Sequence, residues 1–510
     1  MVAMLALFFP GVLHTRAWVS DNGDGTFTNP PLYADYPDPD IIRVGNDFYF
    51  ATTTFVNSPG LTILHSRDLV NWELVAHVIP RLDGRPQYDL KDGGAYRAGI
   101  FAPSLRYRDG TFYVATTPMG QNTRIYSARD VRGPWRFHEL DRAAFDPGLF
   151  FDTDGTGYIA TSGSWDGHVT LLKLSPDLSR VVEARGLFYY RGAEGSKVIK
   201  RGRWYYVFNA VPSRLGLICS RATNIFGPYE TRDLLDDRTG GHQGAIVDLP
   251  DGNWFGFVMR DCGAVGRMTF MSPVYWEDDW PVFGTPGTPG RVPAVARKPI
   301  PGQAIGQPAT SDDFDSPTLG LQWQWNHNPD NSRWSLTERP GWLRLRSTVA
   351  DNFWLAPNTL TQKGQGPWSR SAVKLDLRHL LPGDVCGFGT LGKVNAHIAA
   401  RCGDDGRITL AMSVSVDGGH SETRVDAVPV PSADLFLRTD LDFVRNRGTC
   451  AYSVDDAHWT TLGGEFDLAF DWRTGTFQGE QFAIFCYDPH RSDGFVDVDW
   501  FKFTNAKLTE

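Results

Sequence analysis

Asp109-Gly110-Thr111-Phe112-Tyr113-Val114-Ala115 is a turn followed by an aromatic-rich strand that ends in small residues. The same plan occurs at Asn46-Asp47-Phe48-Tyr49-Phe50-Ala51 and at Asp154-Gly155-Thr156-Gly157-Tyr158-Ile159-Ala160. It returns at Arg201-Gly202-Arg203-Trp204-Tyr205-Tyr206-Val207 and at Asp251-Gly252-Asn253-Trp254-Phe255-Gly256-Phe257. With Tyr49, Tyr113, Tyr158, Tyr205 and Phe255 as markers, the spacings are 64, 45, 47 and 50 residues. Repeats of that length match propeller blades of four strands each. A third strand and outer turn recur as well, beginning at Ser66, Ser127 and Ser220. The reading is an all-β chain opening with a five-bladed β-propeller.

Upstream of the markers lie the residues with chemical potential. Asp38 stands 11 residues before Tyr49, Asp146 stands 12 before Tyr158, and Glu194 stands 11 before Tyr205. His242 is 13 before Phe255, and Ser104 is 9 before Tyr113. The first strand of each blade runs beside the central axis, so equivalent positions at its start converge on one end of the channel. Three acids, a histidine and a hydroxyl are therefore expected to face one another. Asp38 is also clamped between Pro37 and Pro39, which leaves its backbone few conformations. Any one of these acids alone reads as a turn residue; the recurrence at matching positions gives them a shared purpose.

The remaining chain follows a different pattern. Residues 298–310 are a Pro- and Gly-rich linker, and a second unit spans 311–510. In it Leu343 and Leu345 alternate with Arg344 and Arg346, and Val496 and Val498 with Asp497 and Asp499. Such alternation describes a sandwich whose sheets have one buried and one wet face. Residues 18–297 make the propeller. Residues 1–17, with an apolar run from Val2 to Leu13, read as a secretory leader, so the chain is expected to be secreted. That run is too short to span a bilayer, and no membrane association is expected. The net charge of −9 includes no basic stripe, which argues against a nucleic-acid partner. Six cysteines in so long a chain cannot make a disulfide framework, and the lack of a C-x-x-C pair argues against a zinc or redox site, leaving room for one or two disulfides.

Two carboxyl groups across a pocket are what acetal hydrolysis requires, one to protonate the leaving oxygen and one to activate water or attack the sugar. A third acid nearby disfavours ionisation of its neighbours and so keeps the proton donor neutral. No metalloprotease, nucleophile-elbow or phosphate-loop motif competes with this reading.

The stretches Tyr36-Pro37-Asp38-Pro39-Asp40, Phe145-Asp146-Pro147 and Ala193-Glu194-Gly195, in that order, resemble glycoside hydrolase family 43, in particular its β-xylosidase-type members. The resemblance implies an inverting, exo-acting β-xylosidase or α-L-arabinofuranosidase with a C-terminal concanavalin-like sandwich. Its substrate would be a hemicellulose-derived oligosaccharide. By position, Asp38 looks like the general base, Glu194 the general acid, and Asp146 the acid that tunes and orients Glu194. Arg267 matches a substrate-binding arginine, Phe55 an aromatic wall, and Phe477 an aromatic lent by the sandwich. His242 matches a histidine that contacts a structural Ca²⁺ in the channel. Phe101, before Ala102-Pro103, stands where many β-xylosidases carry tryptophan, which alters the pocket wall. The alternatives are a retaining fructosidase-like propeller, whose Asn-Asp-Pro-Asn, Arg-Asp-Pro and Glu-Cys signatures are missing here, and a sugar-binding propeller without catalysis.

Overall fold

The computed structural model describes residues 18–505 apart from 164–165, 236–240, 418, 420, 431 and 492; the expected leader at 1–17 lies outside the described residues. Five antiparallel sheets follow one another in chain order, each with its four principal strands in sequence order. Their first strands are Asp40–Val44, Ser104–Arg108, Gly148–Phe151, Glu194–Arg201 and His242–Asp248, which head blades 1 to 5. Each neighbours the next, and the fifth returns to the first, so the blades close into a ring. The five marker residues all fall on second strands.

The aromatic repeat has a packing cause. A blade is covered on both faces by its neighbours, so its second strand has no wet side to reserve for polar residues. Tyr49 packs edge-on against Phe112 of blade 2, Tyr113 against Phe151 of blade 3, and Phe150 against Tyr205 of blade 4. Each such ring removes a large apolar area from water, worth about 1.5–3 kcal/mol when fully buried. A two-stranded sheet of Thr26–Thr28 with Val295–Arg297 ties the start of the described chain to the segment after blade 5. Asn29 reinforces it by donating to Met271 O and Pro293 O and accepting from Met271 N.

Two further sheets form the sandwich over one apolar core. Leu343, Leu345, Val496 and Val498 are buried there, as their alternation requires, and so are Val373 and Leu375, which alternate with Lys374 and Asp376. The opposite face of that sheet departs from the expected wet surface. Asp376 and Asp497 are as buried as the core, because Arg339 bridges both and Arg344 forks onto Asp497. Guanidinium groups lying across the sheet replace water there.

The two units are spliced. Asn57–Ser58, in a loop of blade 1, pairs with Gln324–Asn326 as the edge of a sandwich sheet. Asn57 also exchanges side-chain hydrogen bonds with Gln478 and Gln481. All six cysteines are thiols, including Cys386 and Cys486, which oppose each other across neighbouring strands. Among the described residues no helix is long and apolar enough to cross a membrane.

Candidate active site

Asp38 ends a loop that several groups hold in place. Pro37 O accepts from Thr52 Oγ1 at 2.6 Å and from Thr53 N, and Tyr36 O accepts from Thr269 Oγ1 at 2.9 Å. The prolines leave no competing helical path, and Asp38 takes φ +52°. Asp146, which also precedes a proline, takes φ +44°. Phe55, Arg97, Leu215, Gln243 and Phe477 are also left-handed and lie in or directly behind the same cavity. A non-glycine residue held there costs on the order of 1–3 kcal/mol, and such strain gathers where positioning matters.

The cavity encloses about 460 Å³ at one end of the channel. Asp38, Asp146, Glu194 and Arg267 line it together with Phe101, Phe145, His242, Gln243, Met259 and Asp261. The sandwich adds Phe470, Trp472 and Phe477, and exposed Arg97, Met119 and Trp472 rim the opening. Arg267 Nη1 donates to Asp38 Oδ1 at 3.3 Å, and its guanidinium carbon lies 4.4 Å from the Phe477 ring centre.

Electrostatics divides the three acids. Burial raises the Glu194 carboxyl to about 9, with the charges of Asp146 and Asp38 adding to it and Arg267 opposing. Burial and then the Asp38 charge raise Asp146 to about 7, against Lys197, Arg267 and the Gly195 N–H. Glu194 Oε2 is buried with no hydrogen-bond partner. The site therefore holds a proton at neutral pH on Glu194, whose Oε2 has no other partner to occupy it.

Stability should carry the same signature. The ordinary Glu value is 4.5, so between there and about 9 the folded chain keeps a proton that the unfolded chain gives up. Stability falls with rising pH wherever the folded state binds more protons. Glu194→Gln cannot titrate, so its Tm should gain on the parent's as pH rises from about 5 to about 9. Differential scanning calorimetry across that range checks this, and a Tm difference independent of pH contradicts it.

Of the residues expected from the sequence, Asp38, Asp146, Glu194, Phe101, Arg267, Phe477 and His242 are brought together. Phe55 is fully buried one layer behind, 5.4 Å from the Phe101 ring, 4.7 Å from Phe477 and under Arg267. Ser104 is not in the cavity. It pairs with Ala115 as Asp40 pairs with Ala51, so its counterpart in blade 1 is Asp40 and not Asp38. Its Oγ accepts Leu149 N at 3.0 Å, just as Asp40 Oδ2 accepts Leu105 N at 2.9 Å. Both stitch one blade to the next, and Ala102 lines the cavity in the second blade's place. A side chain at Gly195 would collide with the Gln243 amide.

The sequence reading missed Lys197, which lies buried beneath the acids. Its Nζ donates to Pro103 O at 3.2 Å and stands 3.9 Å from Asp40 Oδ2. Three residues after Glu194, it should point to the opposite face of a regular strand. A register shift between Glu194 and Lys197 changes that phase. His242 has both ring nitrogens without a hydrogen-bond partner; its Nε2 is 3.5 Å from Asp261 Oδ1. Among the described residues no three His, Cys, Asp or Glu side chains cluster to hold a metal. A cation at His242 would thus draw most of its ligands from water.

A neutral carboxylic acid and two further carboxyl groups meeting in a sugar-sized, aromatic-walled cavity are the equipment of a glycoside hydrolase. Residues 27–281 match the description "Glycosyl hydrolases family 43", and residues 311–504 match "Beta xylosidase C-terminal Concanavalin A-like domain". The chain belongs to glycosyl hydrolase family 43, an inverting family, and is a glycosidase. It is 30% identical to a "Beta-xylosidase" of Formosa agariphila, over 96% of this chain and 92% of that protein. It is 35% identical to a "Non-reducing end alpha-L-arabinofuranosidase" of Bacteroides ovatus, over 64% of this chain and 66% of that one. A solved "Bifunctional GH43-CE" protein of Bacteroides eggerthii superposes with a TM-score of 0.87 at 34% identity. That match covers 94% of this chain, which spans only 64% of the longer protein.

Proposed function

We infer that the chain removes a terminal xylosyl or arabinofuranosyl residue from hemicellulose-derived oligosaccharides. Glu194 protonates the departing oxygen while Asp38 takes a proton from the water that attacks the opposite face of the sugar. Asp146 keeps the Glu194 proton in place through its charge and its position. Arg267, Phe101 and Phe477 hold the sugar, with Phe55 bracing that wall. The observation behind this reading is the concentration of raised carboxyl groups in a cavity to which propeller and sandwich both contribute. A protein that only bound neutral sugar would gain nothing from desolvating three acids. A retaining mechanism is excluded by the family.

The experiment is incubation with an aryl β-xyloside and an aryl α-L-arabinofuranoside. Release of the aryl alcohol from either supports the reading, and stable inertness of both sinks it. A hydrated Ca²⁺ against His242 belongs to the same proposal, supported by the open imidazole. Calcium favours oxygen ligands, so water would fill most of its shell and its part would be structural. Exhaustive chelation should lower Tm without altering the pH profile of kcat; an unchanged Tm would remove the ion from the account.

A further inference from the structure

The sandwich reaches the cavity through one short segment, and a carboxylate outside the cavity holds that segment to the propeller. Asp35 is 3% exposed, three residues ahead of Asp38. Its Oδ1 accepts the backbone N–H of Arg267 at 2.7 Å, and its Oδ2 accepts that of Gly479 at 3.1 Å. The first donor opens the third strand of blade 5; the second lies two residues from Phe477 in the sandwich. The Arg267 guanidinium then lies over the Phe477 ring while reaching Asp38. The joint has no slack. A Cβ on Gly266 would collide with the Asp35 carboxylate, and one on Gly479 would collide with the Val265 carbonyl. Glu480 N donates to Ala264 O at 2.9 Å beside it.

We propose that Asp35 is a positioning residue that sets the Arg267–Phe477 wall of the sugar pocket from both domains at once. This rests on the assignment of Arg267 and Phe477 to sugar binding made above. Two N–H donors to one carboxylate are charge-assisted bonds, and an amide oxygen and nitrogen cannot accept both.

Asp35→Asn should therefore raise KM for an aryl glycoside about 10–100-fold, the worth of one hydrogen bond to a charged group, with kcat little changed. Gly479→Ala disturbs the joint from the sandwich side and should raise KM likewise, which carries the test if Asp35→Asn fails to fold. A merely structural residue would instead reduce the active fraction, lowering kcat at constant KM. The double variant Asp35→Asn/Phe477→Ala should have a KM no higher than the worse single, because the same wall is lost once. Additive effects, or KM within about twofold of the parent in both Asp35→Asn and Gly479→Ala, overturn the proposal. If Arg267→Ala and Phe477→Ala themselves leave KM unchanged, the sugar-binding reading falls together with it. If those two raise KM while Asp35→Asn and Gly479→Ala do not, only the role of Asp35 falls.

Discussion

Asp38→Ala should lose about 10⁴-fold in kcat/KM, the upper end of what one acid–base group contributes, and lose it equally on every substrate. Activation of water is needed whatever group departs, so an aryl glycoside with an excellent leaving group gains no relief. The measurement is kcat/KM on a dinitrophenyl glycoside and on an unactivated disaccharide. The same variant should keep its affinity for product sugar within the range set by losing the Arg267 contact at 3.3 Å. Recovery of most activity on the dinitrophenyl substrate would contradict the role given to Asp38.

Glu194→Ala should behave in the opposite way. An alkoxide leaving group needs its proton in the transition state, and a dinitrophenolate does not. The expected loss is about 10²–10⁴-fold on the disaccharide and far less on the dinitrophenyl glycoside. Burial and two neighbouring acids keep this carboxyl protonated, so the parent's kcat should hold through neutral pH and fall on the alkaline side. In Glu194→Ala that alkaline limb should vanish on the activated substrate. Equal losses on both substrates would mean that Glu194 does not protonate the leaving group.

The propeller was legible because its blades are buried on both faces, which writes aromatic residues such as Tyr49, Tyr113 and Tyr205 into every second strand. Asp38 and Asp146 were legible because they recur at matching distances ahead of the aromatic markers, whereas the proline after each marks only a turn. The left-handed backbone of Asp38 was not, because its loop is held by Thr52, Thr269 and Met259 from outside the stretch. Ser104 misled by two residues: counting from an aromatic marker ignores how many residues the loop into the strand takes. Lys197 was hidden by a strand irregularity that reverses its facing. Asp35, Phe470 and Trp472 were invisible because their meaning lies in partners more than two hundred residues away. The buried Asp376 and Asp497 failed the alternation rule for a related reason, as arginines from other segments cover them.

The central claim is that Asp38 delivers water to the sugar while Glu194 protonates the oxygen that leaves. Proton NMR of the first-formed sugar, recorded within the first turnovers on an aryl β-xyloside before mutarotation, tests it most directly. Single displacement by water predicts that α-xylose appears first and the β-anomer grows in only by equilibration. Initial appearance of β-xylose would require a covalent intermediate on a carboxylate and would contradict the account.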